Sequence, residues 1–329
     1  MLKHLLNTKL YLIVTTACFI TIILCSSTGL YTYTLPDLTS PTYIFPKFSA
    51  RISTLSLSEA GNNFDTVSLC CVLKDEEAYL DEWVDYNLAL GFTDIILYDN
   101  SQNNDLLSWK KNNRLNDMRI DIVPWPAPIK QIEGLLECAK RSISKNHTWT
   151  AFFDIDEFLI LRKHHDVVSF LRAYCQSGAL SINWLVFGNS NHSSYLPIPV
   201  TKRFTYRMPT PHYLVKSIVR LSDLNITLPK NSHFQFLKTG MQHDTNNKTF
   251  LGPFNPGGPD DISVLHHYWT KSTKEFHLRS CVRGANTADY NLSANFPNCG
   301  KLPPPEYNKF DDTAWTELKR RVPWYAVYD

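Results

Sequence analysis

Between residues 66 and 161 the chain repeats one pattern: a short apolar run, a polar cluster, then a stretch with helical spacing. The apolar runs are Thr66–Leu73 (TVSLCCVL), Asp94–Tyr98 (DIILY), Met118–Val123 (MRIDIV) and Trp149–Phe153 (WTAFF). Between them Tyr79, Leu80, Trp83, Val84 and Leu88 recur at helical spacing, with Asp75 as a candidate cap and Gly91 as the stop. Ile132, Leu135, Leu136, Ala139 and Ile143 mark a second amphipathic helix. Strands alternating with helices predict an α/β domain with a mixed, mostly parallel central sheet and right-handed crossovers. Such sheets bind ligands at the carboxyl ends of their strands. Three clusters therefore matter most: Lys74-Asp75-Glu76, Asp99-Asn100-Ser101 and Asp154-Ile155-Asp156-Glu157. Beyond Ala179 the pattern turns strand-rich, with runs at 180–187, 202–207, 216–221 and 262–268 and a Pro/Gly-rich loop at 252–259.

Asp154 and Asp156 are one residue apart at the end of an apolar strand, so extended backbone turns both carboxylates to one side. Two like charges placed together repel unless a divalent cation bridges them. A hard cation held by one or two carboxylates completes its shell with water and substrate phosphates. A second cluster, His266-His267-Tyr268-Trp269-Thr270-Lys271-Ser272, offers an imidazole that suits a mixed O/N metal site and a lysine for a phosphate oxygen. Ser272-Thr273-Lys274-Glu275 has capping-box form and predicts a helix start. The competing structural readings are a solvated acidic turn for the acid pair and a strand-end packing role for the histidines.

From Leu10 to Pro36 no side chain is charged, and residues 10–30 are apolar enough and long enough to span a bilayer as a helix. Lys3, His4 and Lys9 precede this run and no Lys or Arg follows before Lys47, which by the positive-inside tendency keeps the first residues cytoplasmic. The expected layout is a tail over 1–9, a single-pass type II anchor over 10–30, a Ser/Thr/Pro-rich stem over 31–64 and a catalytic domain over 65–329. A cleaved signal peptide ending near Cys25–Gly29 is the alternative. Either way the rest of the chain enters the secretory pathway. Sequons at Asn146, Asn191, Asn225, Asn247 and Asn291 agree with that, as do Cys70, Cys71, Cys138, Cys175, Cys281 and Cys299, an even set for an oxidising lumen. No CxxC pair is present, and one of the adjacent Cys70 and Cys71 is as readily a core thiol as a disulfide partner. The whole chain carries 33 basic and 31 acidic residues; setting aside four basic and two acidic ones before residue 65 leaves 29 of each. That balance excludes a dedicated nucleic-acid binder and makes any anion site a local one.

CCVLKDEEAYLDEWVDYNLALGFTDIILYDN at 70–100, FFDIDEFLIL at 152–161, NWLVFGNSNH at 183–192 and HHYWTKSTKEF at 266–276 occur in order over residues 66–285. Together they resemble glycosyltransferase family 92. The resemblance implies a GT-A type nucleotide-diphospho-sugar transferase fold in a Golgi-type membrane enzyme that uses Mn2+ or another divalent cation. It implies a UDP-sugar donor, galactose in characterised relatives, a glycan or glycoprotein acceptor, and inversion at the anomeric carbon. By the same resemblance Asp154, Asp156 and His267 are expected to hold the metal and Lys271 to lie near the diphosphate. Asp99 and Asn100 are expected at the nucleoside. Lys74, at a strand's carboxyl end, is a further substrate contact read from the strand pattern, and Trp184 is either a platform for a sugar face or a core residue. Inversion needs a base for the acceptor hydroxyl; Glu157, Asp260 and Asp261 are the candidates, with Glu157 and Asp261 carried forward. Asn191 departs from the family, standing where relatives usually have Gly, and it creates a sequon in the acceptor region. A catalytically silent, membrane-tethered carbohydrate- or nucleotide-binding protein on the same fold is the alternative, and a metal-dependent phosphoester hydrolase lacks enough ligands.

Overall fold

In the computed structural model the described residues are 9–15, 19–26, 29–35, 64–101, 103, 105–126, 131–227, 231–283 and 307–329. The chain divides into a unit containing residues 1–63 and 110–115 and a unit containing 64–109 and 116–329. In the first unit, strands β1 (Lys9–Thr15), β2 (Phe19–Ser26) and β3 (Gly29–Leu35) pair antiparallel in that order. Strands thus stand where a spanning helix was expected over 10–30, and the local chemistry permits it: Ile13, Val14, Thr15, Ile20, Thr21, Ile22 and Ile23 are β-branched residues that favour a pleated backbone. No helix among the described residues is long and apolar enough to cross a membrane. The expected stem over 36–63 lies outside the described residues, as do Asn291 and Cys299.

The second unit is built on a sheet of nine strands. In chain order they are β4 (Val67–Leu73), β5 (Asp94–Asp99), β6 (Ile120–Pro124), β7 (Trp149–Phe152), β8 (Glu157–Leu161), β9 (Ala179–Val186), β11 (His212–Arg220), β12 (Gln242–His243) and β13 (Ser263–His267). Strand β10 (Tyr206–Arg207) pairs instead with β14 (Lys309–Phe310) as a small separate ribbon. The sheet order is β6-β5-β4-β7-β11-β9-β13-β8, with β12 beside β9. Pairings within β4–β7 are parallel, β11 runs antiparallel to both its neighbours, and β13 is parallel to β9. The carboxyl ends of β4, β5, β7, β9 and β13 therefore share one edge with the amino ends of β8 and β11.

The helices are α1 (Leu80–Leu90), α2 (Asp105–Asn113), α3 (Gln131–Ser144), α4 (Val167–Tyr174), α5 (Val200–Arg203), α6 (Thr273–His277) and α7 (Thr313–Arg321). Strand β4 shows why both sheet faces need cover, since all seven of its residues are buried. Leu69, Cys71 and Leu73 join one apolar core with Trp83 and Tyr86 of α1, while Cys70 and Val72 join another with Leu135 and Ala139 of α3. Period-two alternation decides the cysteines as well. Cys70 faces α3 and forms a disulfide with Cys138, whereas Cys71 points into the other core as a buried free thiol, like Cys175 elsewhere. Cys281 is also disulfide-bonded.

Helix α1 stops where expected, at Gly91 with φ of 104°, a left-handed cap that a side chain would strain. Its start differs: Asp75 sits at φ of 51° in the preceding turn, and the cap residue of α1 is Tyr79. The run over 202–207, expected as one strand, instead closes α5 and then forms the two-residue β10. Buried Glu82 accounts for the helix there, because its carboxylate accepts from Val200 N at 2.6 Å and Thr201 N at 3.0 Å, the donors a helix start leaves unpaired.

Candidate active site

The turn between β7 and β8 carries Asp154, Ile155 and Asp156 at the shared edge. Burial pushes the Asp156 carboxyl up, but Lys271, Arg279 and His267 outweigh it and hold the group well below the usual carboxylate range. Arg279 Nη1 donates to Asp156 Oδ2 at 2.7 Å and Lys271 Nζ to the same oxygen at 3.3 Å. The other oxygen, Oδ1, faces His267 Nε2 at 3.5 Å. Neither that oxygen nor either ring nitrogen of His267 has a hydrogen-bond partner, and all three atoms are buried.

Asp154 is held differently. Lys216 Nζ donates to its Oδ2 at 2.7 Å and Gln131 Nε2 to its Oδ1 at 3.3 Å. Lys216 is almost fully buried and also approaches Glu157 Oε2 at 3.7 Å. Burial lowers the Lys216 ammonium, yet Asp154 and Glu157 more than compensate and raise it. The acid pair is thus met by three cations, Lys216, Lys271 and Arg279. Of these three cations, only Lys271 is legible in the sequence as a ligand contact. Lys216 follows Leu214 and Val215 in β11 and is buried, and a charge placed inside a strand is the available signal.

Lys271 is held in an uncommon backbone conformation, with φ of 51°. Its ammonium lies 4.5 Å from the Tyr79 ring centre and 3.7 Å from Glu76 Oε1. Tyr79 OH donates to Glu275 at 2.6 Å, and Arg203 donates to the same carboxylate at 2.9 and 3.2 Å. Glu275 closes the expected capping box with Ser272, which starts the short α6. A buried polar net thereby fixes the loop after β13.

Other candidates have other places. Glu157 is at this edge but completely buried; burial raises its carboxyl strongly, and its Oε2 accepts from Asp154 N at 2.8 Å. It braces the acid turn and cannot reach an acceptor. Asp261 precedes β13, opposite the end that carries His267, and is exposed beside Lys163 at 3.6 Å. Five strand residues at ~3.3 Å each separate that end from the site, so Asp260 and Asp261 are excluded from it. Asp99 reaches the correct edge but accepts from Ser101 N at 3.0 Å and Leu106 N at 3.2 Å, fastening the loop into α2. Asn100 donates to Trp125 O at 2.7 Å, a structural contact. Lys74 is half-buried at the end of β4.

Trp184 is packed among histidines: His267 at 4.2 Å, His233 at 5.2 Å and His212 at 5.9 Å between ring centres. Burial lowers His212 below its usual value and brings His233 down to about 4, so both are neutral near pH 7. Neither is legible from the sequence, since His212 opens β11 and His233 lies in the loop after it, both far along the chain from the acid pair.

The expected metal set is only partly assembled. No three His, Cys, Asp or Glu side chains gather as a cation cage among the described residues. Still, a buried oxygen and a buried nitrogen facing each other without partners suit a divalent cation, whose bridging satisfies both.

The model of the family described as glycosyltransferase family 92 matches residues 66–255, more than half of the chain. A glycosyltransferase family 92 protein of Oryza sativa subsp. japonica is 30% identical over 184 residues, covering 54% of this chain and 31% of that protein. One from Ricinus communis is 27% identical over 239 residues, covering 66% and 38%. One from Arabidopsis thaliana is 26% identical over 226 residues, covering 64% and 37%. The matched part of the chain thus spans about a third of the length of these relatives. Among solved structures, HddC from Yersinia pseudotuberculosis aligns at a TM-score of 0.35 and 11% identity, over 54% of this chain and 88% of that one.

Proposed function

The chain belongs to glycosyltransferase family 92, and from that premise we propose that it transfers a sugar from a UDP-sugar, galactose favoured, to a glycan acceptor with inversion. The observation that carries this reading is Asp156, with one oxygen bound by Arg279 and Lys271 and the other facing His267 at 3.5 Å. A divalent cation, Mn2+ in the first instance, would be held by Asp156 and His267, whose buried oxygen and nitrogen face each other without hydrogen-bond partners. Such an ion supplies Lewis-acid stabilisation of the departing diphosphate.

The chain's own residues do the rest. Lys271 and Arg279 bring fixed positive charge to the side of Asp156 where a diphosphate would lie, and charge-assisted contacts there are worth about twice neutral ones. The net of Tyr79, Arg203 and Glu275 fixes the Lys271 loop beforehand, so little ordering is left for the moment of reaction. His212 stands at the same edge with Nδ1 accepting from Leu214 N at 3.2 Å, so its neutral ring offers Nε2–H to an acceptor hydroxyl as an orienting donor. We place the protein in the secretory pathway, in a Golgi-type compartment. The Cys70–Cys138 disulfide suits an oxidising lumen.

A catalytically silent binding protein is the second reading, favoured by one observation: Asp154 is already neutralised by Lys216 at 2.7 Å. A panel of nucleotide-sugars with and without Mn2+, read by thermal shift, tests the ligand class. Metal-dependent stabilisation by a UDP-sugar is expected, because a ligand that binds the native state raises the melting temperature. Absence of stabilisation by every nucleotide-sugar in the panel contradicts the proposal.

A further inference from the structure

Five rings run outward from the acid turn in unbroken contact. His267 packs on Trp184 at 4.2 Å, Trp184 stacks on His212 at 5.9 Å, His212 on Tyr213 at 4.2 Å, and Tyr213 meets Phe254 at 5.6 Å. Exposure rises along the series. Trp184 is 7% exposed, Tyr213 50% and Phe254 54%. Single exposed aromatics need no explanation, but a contiguous set beginning at a reactive turn does.

The outer rings stand on a rigid base. Asn255 N donates to Tyr213 O at 2.7 Å and Val215 N to Pro253 O at 3.1 Å, tying the loop of Phe254 to the start of β11. Beneath them the buried Asn183 side chain donates to His212 O at 2.9 Å and to Asn255 O at 2.8 Å. Asn255 Nδ2 in turn donates to Asp244 Oδ2 at 3.0 Å. Gly258 closes the packing: a Cβ there would lie 2.0 Å from Asn183 Oδ1. Three connected polar residues, Asn183, Asn255 and Asp244, and a closely packed glycine hold two half-exposed rings still.

We propose that Tyr213 and Phe254, backed by His212 and the buried Trp184, form the acceptor subsite, a platform for an uncharged saccharide whose leading hydroxyl points toward the acid turn. This rests on the glycosyltransferase reading and goes further by naming where the acceptor lies and its class. The ladder contains no Lys, Arg, Asp or Glu, so it offers a charged ligand nothing. A pyranose has an apolar C–H face, and aromatic rings attract slightly positive C–H groups through their negative faces. Fixed rings bind at a lower ordering cost than flexible side chains.

The test is an array of neutral and acidic oligosaccharides, probed with the full chain in Mn2+ and UDP, alongside calorimetry of UDP itself. The variants are Tyr213→Ala, Phe254→Ala and Tyr213→Trp. Wild type should retain neutral glycans, each alanine variant should weaken them by about tenfold or more, and Tyr213→Trp should keep them. UDP affinity and melting temperature should stay at wild-type values in all three. Unchanged glycan binding in both alanine variants overturns the proposal, as does wild type that retains acidic glycans alone or none. If UDP is bound in those cases, the donor reading survives; if wild type binds neither UDP nor glycan, both fall.

Discussion

Lys216 shows how much one residue can decide at this edge. A lysine almost fully buried on β11 is stabilised only by the carboxylates it meets, Asp154 at 2.7 Å and Glu157 at 3.7 Å. Replacing it with methionine keeps the apolar stem and removes the charge, which leaves Asp154 and Glu157 facing each other uncompensated. We expect Lys216→Met to lose on the order of 3 kcal/mol of stability in EDTA. Mn2+ should restore part of that loss by supplying the missing charge. Thermal melts with and without metal check this, and a variant as stable as wild type in EDTA would show that Lys216 is not the counter-ion described. The acid pair itself was readable from the sequence because its apolar flanks fix two strands around a tight turn. Lys216 and Arg279 were not, because a cation's partner depends on which strand or loop lies opposite, and spacing along the chain does not carry that.

Among the elements, β4 and its neighbours were the most legible, since alternation of apolar runs and helices sets both type and order over 66–161. Strand direction was less accessible. Asp261 is close in sequence to His267, yet β13 carries them to opposite ends, and Asp99 spends its oxygens on the start of α2. The 202–207 run shows a tertiary contact overriding a local pattern, with Glu82 of α1 inducing α5. The disulfide fastens β4 to α3 across 68 residues of sequence. Closing a loop of that size contributes about 4 kcal/mol on the chain-entropy account. Cys138→Ala should therefore lower the melting temperature markedly while leaving the far-UV circular dichroism at ambient temperature unchanged. A variant that melts with wild type would remove the staple from the account.

For the molecule as a whole, the balance of 29 basic and 29 acidic residues over 65–329 means that the diphosphate binding proposed above would rest on local charge. Lys216, Lys271 and Arg279 supply such charge beside the acid pair, so the countercharge for a diphosphate need not come from metal alone. Charge pairs also shape stability against pH. Asp311 pairs with Arg207 at 2.6 Å; burial raises its carboxyl, but His266, Thr313 and Arg207 prevail and hold it at about 2. A carboxyl depressed from 3.8 to about 2 contributes stability above pH 3.8 and loses it as pH falls toward 2. Asp311→Asn should cost about 2 kcal/mol at pH 7, the scale of a charge-assisted hydrogen bond, with the gap to wild type closing between pH 4 and 2. Denaturant titrations across that range check it, and a gap that does not change with pH would contradict the assignment. The central claim concerns transfer, and the most direct measurement is release of UDP from UDP-sugars by the purified chain with Mn2+ and a glycan acceptor. Metal-dependent release with wild type, abolished in Asp156→Asn, is the predicted result; no release from any UDP-sugar, or release untouched by that substitution, would contradict it.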